Sequence, residues 1–225
     1  MSLPDIAFPL GLSLQVALLA TLGCALVGVP IAYALATLTF RGKQIAGVGV
    51  MLPLVLPPVV TGYYLLLLIG RGGVLGAVTK VLTGTAYGIT FTWQAAVIAS
   101  FAVAMPLAVN TARAAIAAVD PAHADASRTL GRSEVETALF VVLPLAARGV
   151  SAGLVLGFAR ALGEFGATMV VAGNIPGRTN TMALEIYNAV LYGDRSTATA
   201  LVVLYTLVSV GVLFLADRLA RAVTA

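Results

Sequence analysis

Five long apolar runs divide this sequence and restrict its fold more than any other feature. They cover about residues 10–38, 45–69, 93–112, 149–172 and 198–216. About 20 helical residues cross the hydrocarbon core of a bilayer, so each run is long enough to span a membrane. Only 10% of the residues are charged, whereas soluble domains contain roughly a quarter. The sequence therefore predicts an all-α membrane protein with about five transmembrane helices, forming a single transmembrane domain over residues 1–225.

The basic residues between these runs predict the orientation in the membrane. Connections on one side carry Arg41, Lys43, Arg113, Arg128, Arg132, Arg148, Arg218 and Arg221, and those on the other side carry Arg71, Lys80, Arg178 and Arg195. Lys and Arg concentrate on the cytoplasmic side of membrane proteins. We therefore expect an N-terminus outside and a C-terminus in the cytoplasm. No base precedes the first run, so a cleavable signal peptide is not expected.

Prolines interrupt the second run in the segment LPLVLPPVVTGYY, where Pro57 and Pro58 are adjacent. A proline has no backbone N–H and breaks the helical hydrogen bonding. Within a membrane, such a break persists only where protein or a water-filled path satisfies the backbone. The proline pair therefore favours a span that lines a translocation path, with kinking that improves helix packing as the alternative.

The fourth run contains only two ionisable residues, Arg160 and Glu164. In one straight helix, Gly153, Gly157, Arg160, Glu164 and Thr168 would share a stripe about 80° wide. The two glycines form a G-x-x-x-G pattern that lets a neighbouring helix approach closely. A single charge at mid-membrane costs about 2.5–3.5 kcal/mol, so the two charges are expected to pair. Two roles remain open: an ion pair that fixes helix packing, or a gate of the translocation path.

The connection between the third and fourth runs predicts a helical hairpin. Asp120 is suited to begin the first helix as its N-cap, and Gly131 to end it. Ser133 and Glu136 form an S-x-x-E capping box that begins the second helix, which is expected to end at Pro144. This hairpin lies on the predicted cytoplasmic side, either as a docking surface for another protein or as a plain connection.

The same connection, about residues 118–145, resembles the EAA motif of ATP-binding-cassette (ABC) importer permeases. The pattern D-A-S-x3-G, nine residues and V-x-L-P is formed by Asp125, Ala126, Ser127, Gly131, Val141, Leu143 and Pro144. The family has Glu in place of Asp125 and Ala in place of Ser127. The resemblance implies a type I ABC importer architecture with a cytoplasmic coupling-helix loop. The implied coupling residues are Asp125, Ala126, Ser127, Arg128, Leu130, Gly131, Leu143 and Pro144.

Two further segments, LPLVLPPVVTGYYLLLLIGRGGVLG and GFARALGEFGATMVVAGNIPGRTNTMALEIY, resemble the permease subunit of molybdate importers of the ModB type. This resemblance implies a homodimer in the bacterial inner membrane, paired with a cytoplasmic ATPase dimer that binds ATP and Mg. It also implies a periplasmic oxyanion-binding protein and import by alternating access. Tungstate, sulfate and thiosulfate permeases resemble it as well, so the cargo stays open. No cofactor is expected on this chain itself.

Two other classes of function are less favoured by the residues. An enzyme has one indication, G-x-S-x-G at 149–153, but a nucleophilic serine needs a nearby base, and the one histidine, His123, lies in the hairpin. A secondary transporter would suit the broken helices and the ion pair, yet it does not need the hairpin. The sequence has no phosphate-binding G-x-x-x-x-G-K-[ST] motif, so ATP hydrolysis is expected in a partner. The basic residues are scattered, so no nucleic-acid partner is expected.

Overall fold

The computed structural model describes residues 3–223, with side chains from Ile6 to Ala216 and at Arg218. The side chain of Arg221, used above for the orientation, lies outside the described residues. The described part folds as helices and their connections, and two π-helical segments occupy Cys24–Gly28 and Ala138–Val142. The α-helices are α1 (Leu3–Gly23), α2 (Val29–Thr37), α3 (Lys43–Val55), α4 (Pro58–Ile69), α5 (Val74–Thr83), α6 (Trp93–Ala117), α7 (Pro121–Thr129), α8 (Glu134–Thr137), α9 (Leu143–Leu145), α10 (Ala147–Leu162), α11 (Gly166–Val171), α12 (Met182–Leu191) and α13 (Arg195–Val223).

Four helical segments of the described chain are long and apolar enough to cross a membrane. They are Ile6–Thr37, Pro58–Thr83, Trp93–Ala117 and Arg195–Ala216. A fifth results if Glu134–Leu145 and Ala147–Leu162, which meet at an angle of 81°, form one bent span. The predicted all-α membrane fold is therefore confirmed, while the second and fourth spans differ from their predicted form.

The second predicted span is broken at its proline pair. Helix α3 ends at Val55, and Pro57 is extended, with φ −53° and ψ 137°, before α4 begins at Pro58. Neither proline can donate a backbone hydrogen bond, which explains why the helix cannot continue. Helices α3 and α4 together cover Lys43–Ile69, close to the predicted limits of 45–69, but as two helices and not one; by length and composition, the stretch long enough to span is Pro58–Thr83.

The fourth predicted span is likewise not one straight helix. Helix α10 ends at Leu162, and α11 begins at Gly166. Between them, the carboxylate of Glu164 accepts a hydrogen bond from the backbone N–H of Ala167 at 2.7 Å, which stabilises the start of a new helix. The prediction of a continuous helix was wrong because a side chain replaces the helical hydrogen bonding there. The stripe calculated for a straight helix does not apply across this break.

Helix α6 lies at the centre of the bundle and packs along α1, α2 and α10. Its buried face consists mainly of alanines, including Ala104, Ala108 and Ala112. On α10, a Cβ atom added at Gly153 would lie 2.9 Å from the carbonyl oxygen of Ala108, and one at Gly157 would lie 3.2 Å from its Cβ. The two glycines therefore lie where the α6 and α10 backbones approach each other closely.

This close approach predicts that Gly153→Val destabilises the fold. The added three-carbon isopropyl group must displace the backbone of α6, and overpacking of this kind costs about 1–3 kcal/mol. We expect the midpoint of thermal unfolding in detergent to fall by several degrees, measured by the fluorescence of Trp93. Gly211→Val is the matched control, because a Cβ atom at Gly211 meets nothing within 4 Å. Equal midpoints for the two variants would contradict the close packing.

Candidate functional site

The hairpin between α6 and α10 has the local structure that its sequence predicts. The carboxylate of Asp120 accepts the N–H of Ala122 at 2.9 Å, and Gly131 follows the first helix with φ +84°, in the left-handed region. The capping box of Ser133 and Glu136 is present in both directions. The N–H of Ser133 donates to the Glu136 carboxylate and lowers its pKa. The predicted start of each hairpin helix and the glycine stop after the first are therefore confirmed.

The end of the second hairpin helix differs slightly from the prediction. Pro144 does not end the helix but lies near the start of α9, which continues to Leu145. A proline is tolerated in the first turn of a helix because the N–H of that turn has no helical partner. The chain turns at Ala146, and α10 leaves at 81° to the preceding helix.

The predicted coupling residues divide between the two faces of the hairpin. Asp125, Ala126 and Gly131 are exposed, and Leu130 is 83% exposed, which is unusual for a large apolar side chain. Ser127 instead faces inward, where its hydroxyl lies 2.9 Å from the hydroxyl of Thr137 in a buried contact. Asp125 and Ala126 are exposed on α7, and Leu130 and Gly131 are exposed in the turn after it, whereas Ser127 connects the hairpin helices internally. Of the remaining residues, Arg128 and Pro144 are exposed and Leu143 is half-buried.

An ion network joins α7 to the start of α8. The Arg128 guanidinium donates to Asp125 at 2.8 Å and to both oxygens of Glu134 at 3.0 and 3.1 Å. The hydroxyl of Tyr33, on α2, donates to the same Glu134 carboxylate at 2.5 Å. Arg128, followed by Tyr33, lowers the pKa of Glu134, and the Glu134 carboxylate raises the pKa of Arg128. Sequence analysis missed Tyr33 and Glu134, because no local pattern relates two residues 101 positions apart.

A second group of predicted residues meets at the break between α10 and α11. Arg160 donates to one carboxylate oxygen of Glu164 at 2.9 Å, while the other oxygen accepts the Ala167 N–H. The Glu164 side chain is 1% exposed and that of Arg160 is 26% exposed. Charge-assisted bonds of this kind are among the strongest in proteins. The ion pair therefore joins the end of one helix to the start of the next.

The break at the proline pair lies against this second break. A Cβ atom added at Gly166 would lie 3.0 Å from the Cβ of Pro58, and one at Gly62 would lie 3.0 Å from the backbone of Ala167. Helix α4 and helix α11 therefore pack with almost no side chain between them. Pro58 thus lies against Gly166, two residues after Glu164, whereas Gly153 and Gly157 lie against α6.

Two threonines just beyond the breaks have unsatisfied hydroxyls. Thr61 on α4 and Thr168 on α11 are buried, and within the described chain neither hydroxyl has a hydrogen-bond partner. Buried polar atoms normally have partners, so each such exception needs an explanation. Sequence analysis singled out Thr168 but not Thr61. No group of three or more His, Cys, Asp or Glu side chains among the described residues is arranged to hold a metal ion.

The pKa of Glu134 predicts how acid affects the hairpin. Since the folded-state pKa lies below the ordinary value of about 4.3, the Glu134 contacts stabilise the hairpin above that value and are lost as the pH falls through the folded-state pKa. We expect hydrogen-exchange protection of the α7 and α8 amides to decrease from about pH 6 to about pH 3.

The control for this prediction is Glu134→Gln, which cannot ionise. Its hairpin amides should be less protected than those of the wild type at pH 6 and should approach the wild-type values at pH 3, after correction for intrinsic exchange. A constant difference between the two proteins across this range would contradict the assignment to Glu134.

The chain is similar in sequence to several known proteins. A family model described as "Binding-protein-dependent transport system inner membrane component" matches residues 25–225. The chain is 40% identical over 199 residues to the molybdenum transport system permease protein ModB of Haemophilus influenzae, covering 88% of this chain and 86% of that protein. It is 38% identical over 211 residues to the protein of the same name from Escherichia coli K12, covering 93% and 91%. The putative molybdenum transport system permease protein YvgM of Bacillus subtilis is 38% identical, covering 92% and 90%.

Solved structures share the fold at lower identity. A chain of the MetNI methionine ABC transporter, in an inward-facing conformation, matches with a TM-score of 0.75 and 19% identity over 100% of both chains. A chain of a bacterial alginate ABC transporter in complex with its periplasmic protein matches with a TM-score of 0.80 and 16% identity, covering 98% of this chain and 80% of that one. The predicted architecture of an ABC importer permease is thereby confirmed.

Proposed function

Because the chain belongs to the family of binding-protein-dependent transport system inner membrane components, we propose that it is the permease subunit of an ATP-driven importer of molybdate. Molybdate is supported as the cargo by the sequence identity of 38–40%, over about nine tenths of the chain, to proteins named molybdenum transport permeases. The chain is a transport component and not an enzyme. Tungstate, sulfate and thiosulfate are the alternative cargoes, and an ATP-independent secondary transporter is not favoured by this membership.

We infer that the outer surface of the hairpin receives the partner ATPase. Asp125, Ala126 and Gly131 expose small or acidic groups there, and Leu130 adds an apolar side chain that is 83% exposed. Val135, Leu139 and Phe140 of the same hairpin are also exposed, and several exposed apolar side chains on one element favour a site of protein association. Two copies of the chain would form a homodimer over an ATPase dimer, which holds ATP and Mg, while a periplasmic protein delivers the oxyanion to the opposite end.

This arrangement gives an alternating-access cycle. ATP binding closes the ATPase dimer and draws the two hairpins together, which opens the permease dimer outward, and hydrolysis returns it to the inward-open state. The hairpin end faces the cytoplasm in this proposal, since most of the basic connections lie on its side of the chain. The N-terminus is then outside and the C-terminus inside, in the bacterial inner membrane.

The paired helix breaks are the proposed gate of the translocation path. Irregular backbone at membrane depth occurs only where it is buried in protein or lines a polar cavity. Arg160 attracts an oxyanion, while Glu164 keeps that attraction weak enough for release. Thr61 and Thr168 add two hydroxyl donors without partners beside the breaks, which suits the passage of an anion whose oxygens accept hydrogen bonds.

Replacement of Glu164 tests the gate. Glu164→Gln keeps an acceptor for the Ala167 N–H but leaves Arg160 without its negative partner. The loss of a hydrogen bond between charged groups is worth about 1.5–3 kcal/mol, so we expect ATP-driven uptake to fall about tenfold or more. The measurement is uptake of radioactive molybdate by proteoliposomes that contain the permease and its ATPase.

The matched control for this prediction is Asp194→Asn. Asp194 also accepts a backbone hydrogen bond at the start of a helix, from the N–H of Thr197 in α13 at 3.0 Å, and it is exposed. The control should transport like the wild type. Wild-type uptake by Glu164→Gln in a complex of normal composition would mean that the pair does not gate the path.

The proposed function itself is tested by purification and competition. The tagged chain, taken from its native membrane in mild detergent, should bring an ATPase subunit at a ratio of about one to one. Proteoliposomes of this complex, supplied with the periplasmic protein, should take up molybdate only with ATP, and unlabelled tungstate or sulfate then ranks the cargoes. A chain that purifies alone and moves molybdate without ATP would establish a secondary transporter instead.

A further inference from the structure

Near its C-terminal end, the first membrane span contacts the hairpin through a hydrogen bond. Tyr33 is 8% exposed and lies one turn before the end of α2. Its hydroxyl donates to the Glu134 carboxylate at 2.5 Å. The ring belongs to the same core cluster as Ile116 of α6, Ala124 of α7 and Val142. The contact therefore lies where two spans and the hairpin meet.

The hairpin is held together as one unit on its own side of this contact. Arg128 of α7 is bonded to both oxygens of Glu134 at the start of α8. A buried contact of 2.9 Å between the Ser127 and Thr137 hydroxyls joins the same two helices. A displacement of α7 is thus carried to Glu134 without rearrangement inside the hairpin.

Apolar packing between the hairpin and the first span is incomplete beside this contact. A cavity of about 250 Å³ lies there, lined by Ala36 and Thr37 of the first span, by Asp120 and Ala124 of the hairpin and by the end of α6. Apolar contacts are also non-directional, whereas a hydrogen bond to a charged group has a fixed geometry and is worth about 1.5–3 kcal/mol. The Tyr33–Glu134 bond is therefore suited to hold the span to a moving hairpin.

The other end of the same span carries a second buried polar contact. The hydroxyl of Ser13 accepts the backbone N–H of Met182, the first residue of α12, at 2.8 Å. Helix α1, the π-helical segment and α2 run without interruption from Ser13 to Tyr33. Twenty helical residues extend about 30 Å, close to the thickness of the hydrocarbon core. One continuous helix thus connects the hairpin to α12 at the opposite end of the bundle.

We propose that the first span acts as a connecting rod between the coupling hairpin and α12, with Tyr33, Glu134 and Ser13 as its positioning residues. The inference rests on the proposed coupling of the hairpin to a partner ATPase. When the hairpin moves, Glu134 displaces Tyr33 through their hydrogen bond. The span then transmits this displacement, through Ser13, to the backbone of Met182. The helix that would face the periplasmic protein then responds to the state of the ATPase.

Tyr33→Phe tests this rod, since it removes one hydroxyl and leaves the ring. In proteoliposomes of the complete complex, we expect the molybdate transported per ATP hydrolysed to fall about tenfold, the change that corresponds to loss of a bond to a charged group. Thr21→Val is the matched control. Thr21 lies on the same continuous helix, and its hydroxyl donates to the carbonyl oxygen of Ala17 in that helix at 2.7 Å. The control should keep the wild-type ratio.

A distance measurement separates transmission from a general structural effect. A spin label at Val190→Cys, in a Cys24→Ala background, reports on α12, where Val190 is 62% exposed. The label-to-label distance in the permease dimer should change on ATP binding in the wild type and in Thr21→Val. This change should be absent in Tyr33→Phe and in Ser13→Ala, which breaks the rod at its other end.

A double variant shows whether Tyr33 acts through Glu134. Tyr33→Phe combined with Glu134→Leu should transport no worse than Glu134→Leu alone, because both changes remove the same contact. If the double variant loses transport by the product of the two single losses, Tyr33 does not act through Glu134 and the rod is overturned. The rod is also overturned if Tyr33→Phe keeps both the wild-type transport per ATP and the wild-type distance change. If Tyr33→Phe does not assemble, Ser13→Ala is judged by the same two measurements. If the wild-type complex itself shows no ATP-driven uptake, the proposed function fails before the rod is examined.

Discussion

The carboxylate of Glu164 is the interaction on which the centre of this molecule depends. A mostly buried arginine and the start of a helix both need hydrogen-bond acceptors. Glu164 satisfies both, with one oxygen on Arg160 at 2.9 Å and the other on the N–H of Ala167 at 2.7 Å. Because of this carboxylate the chain can break after α10 and begin α11 in a new direction, which places α11 directly against α4.

The packing around that centre follows from small side chains. Lipid tails are as apolar as leucine, so helices in a membrane associate mainly by close packing and hydrogen bonds. The alanines of α6 and Gly153 and Gly157 of α10 allow such an approach, as do Gly62 and Gly166 at the breaks. Besides the Arg160–Glu164 pair at the breaks, polar contacts lie at the two ends of the bundle, from Tyr33 to Glu134 at the hairpin and from Ser13 to Met182 at α12.

Local signals in the sequence predicted local structure well. Asp120, Gly131 and the capping box of Ser133 and Glu136 act within a few residues of themselves, so the hairpin helices were predicted with nearly correct limits. The fourth span was predicted wrongly, because apolar periodicity does not show that Glu164 caps a new helix. The contact of Tyr33 with Glu134 had no signal at all, since only the fold brings an uncharged residue of one span to a loop 101 positions away.

The two roles considered for Arg160 and Glu164, packing and gating, do not exclude each other in this geometry. A pair used only for packing would bury both partners, yet Glu164 is 1% exposed and Arg160 is 26% exposed. The carboxylate has both oxygens engaged, so it is fixed in place. The guanidinium, held by that carboxylate, is only partly buried, so part of it stays accessible. Glu164 thus fixes the break, and the partial exposure of Arg160 is the feature that is compatible with the proposed gating role.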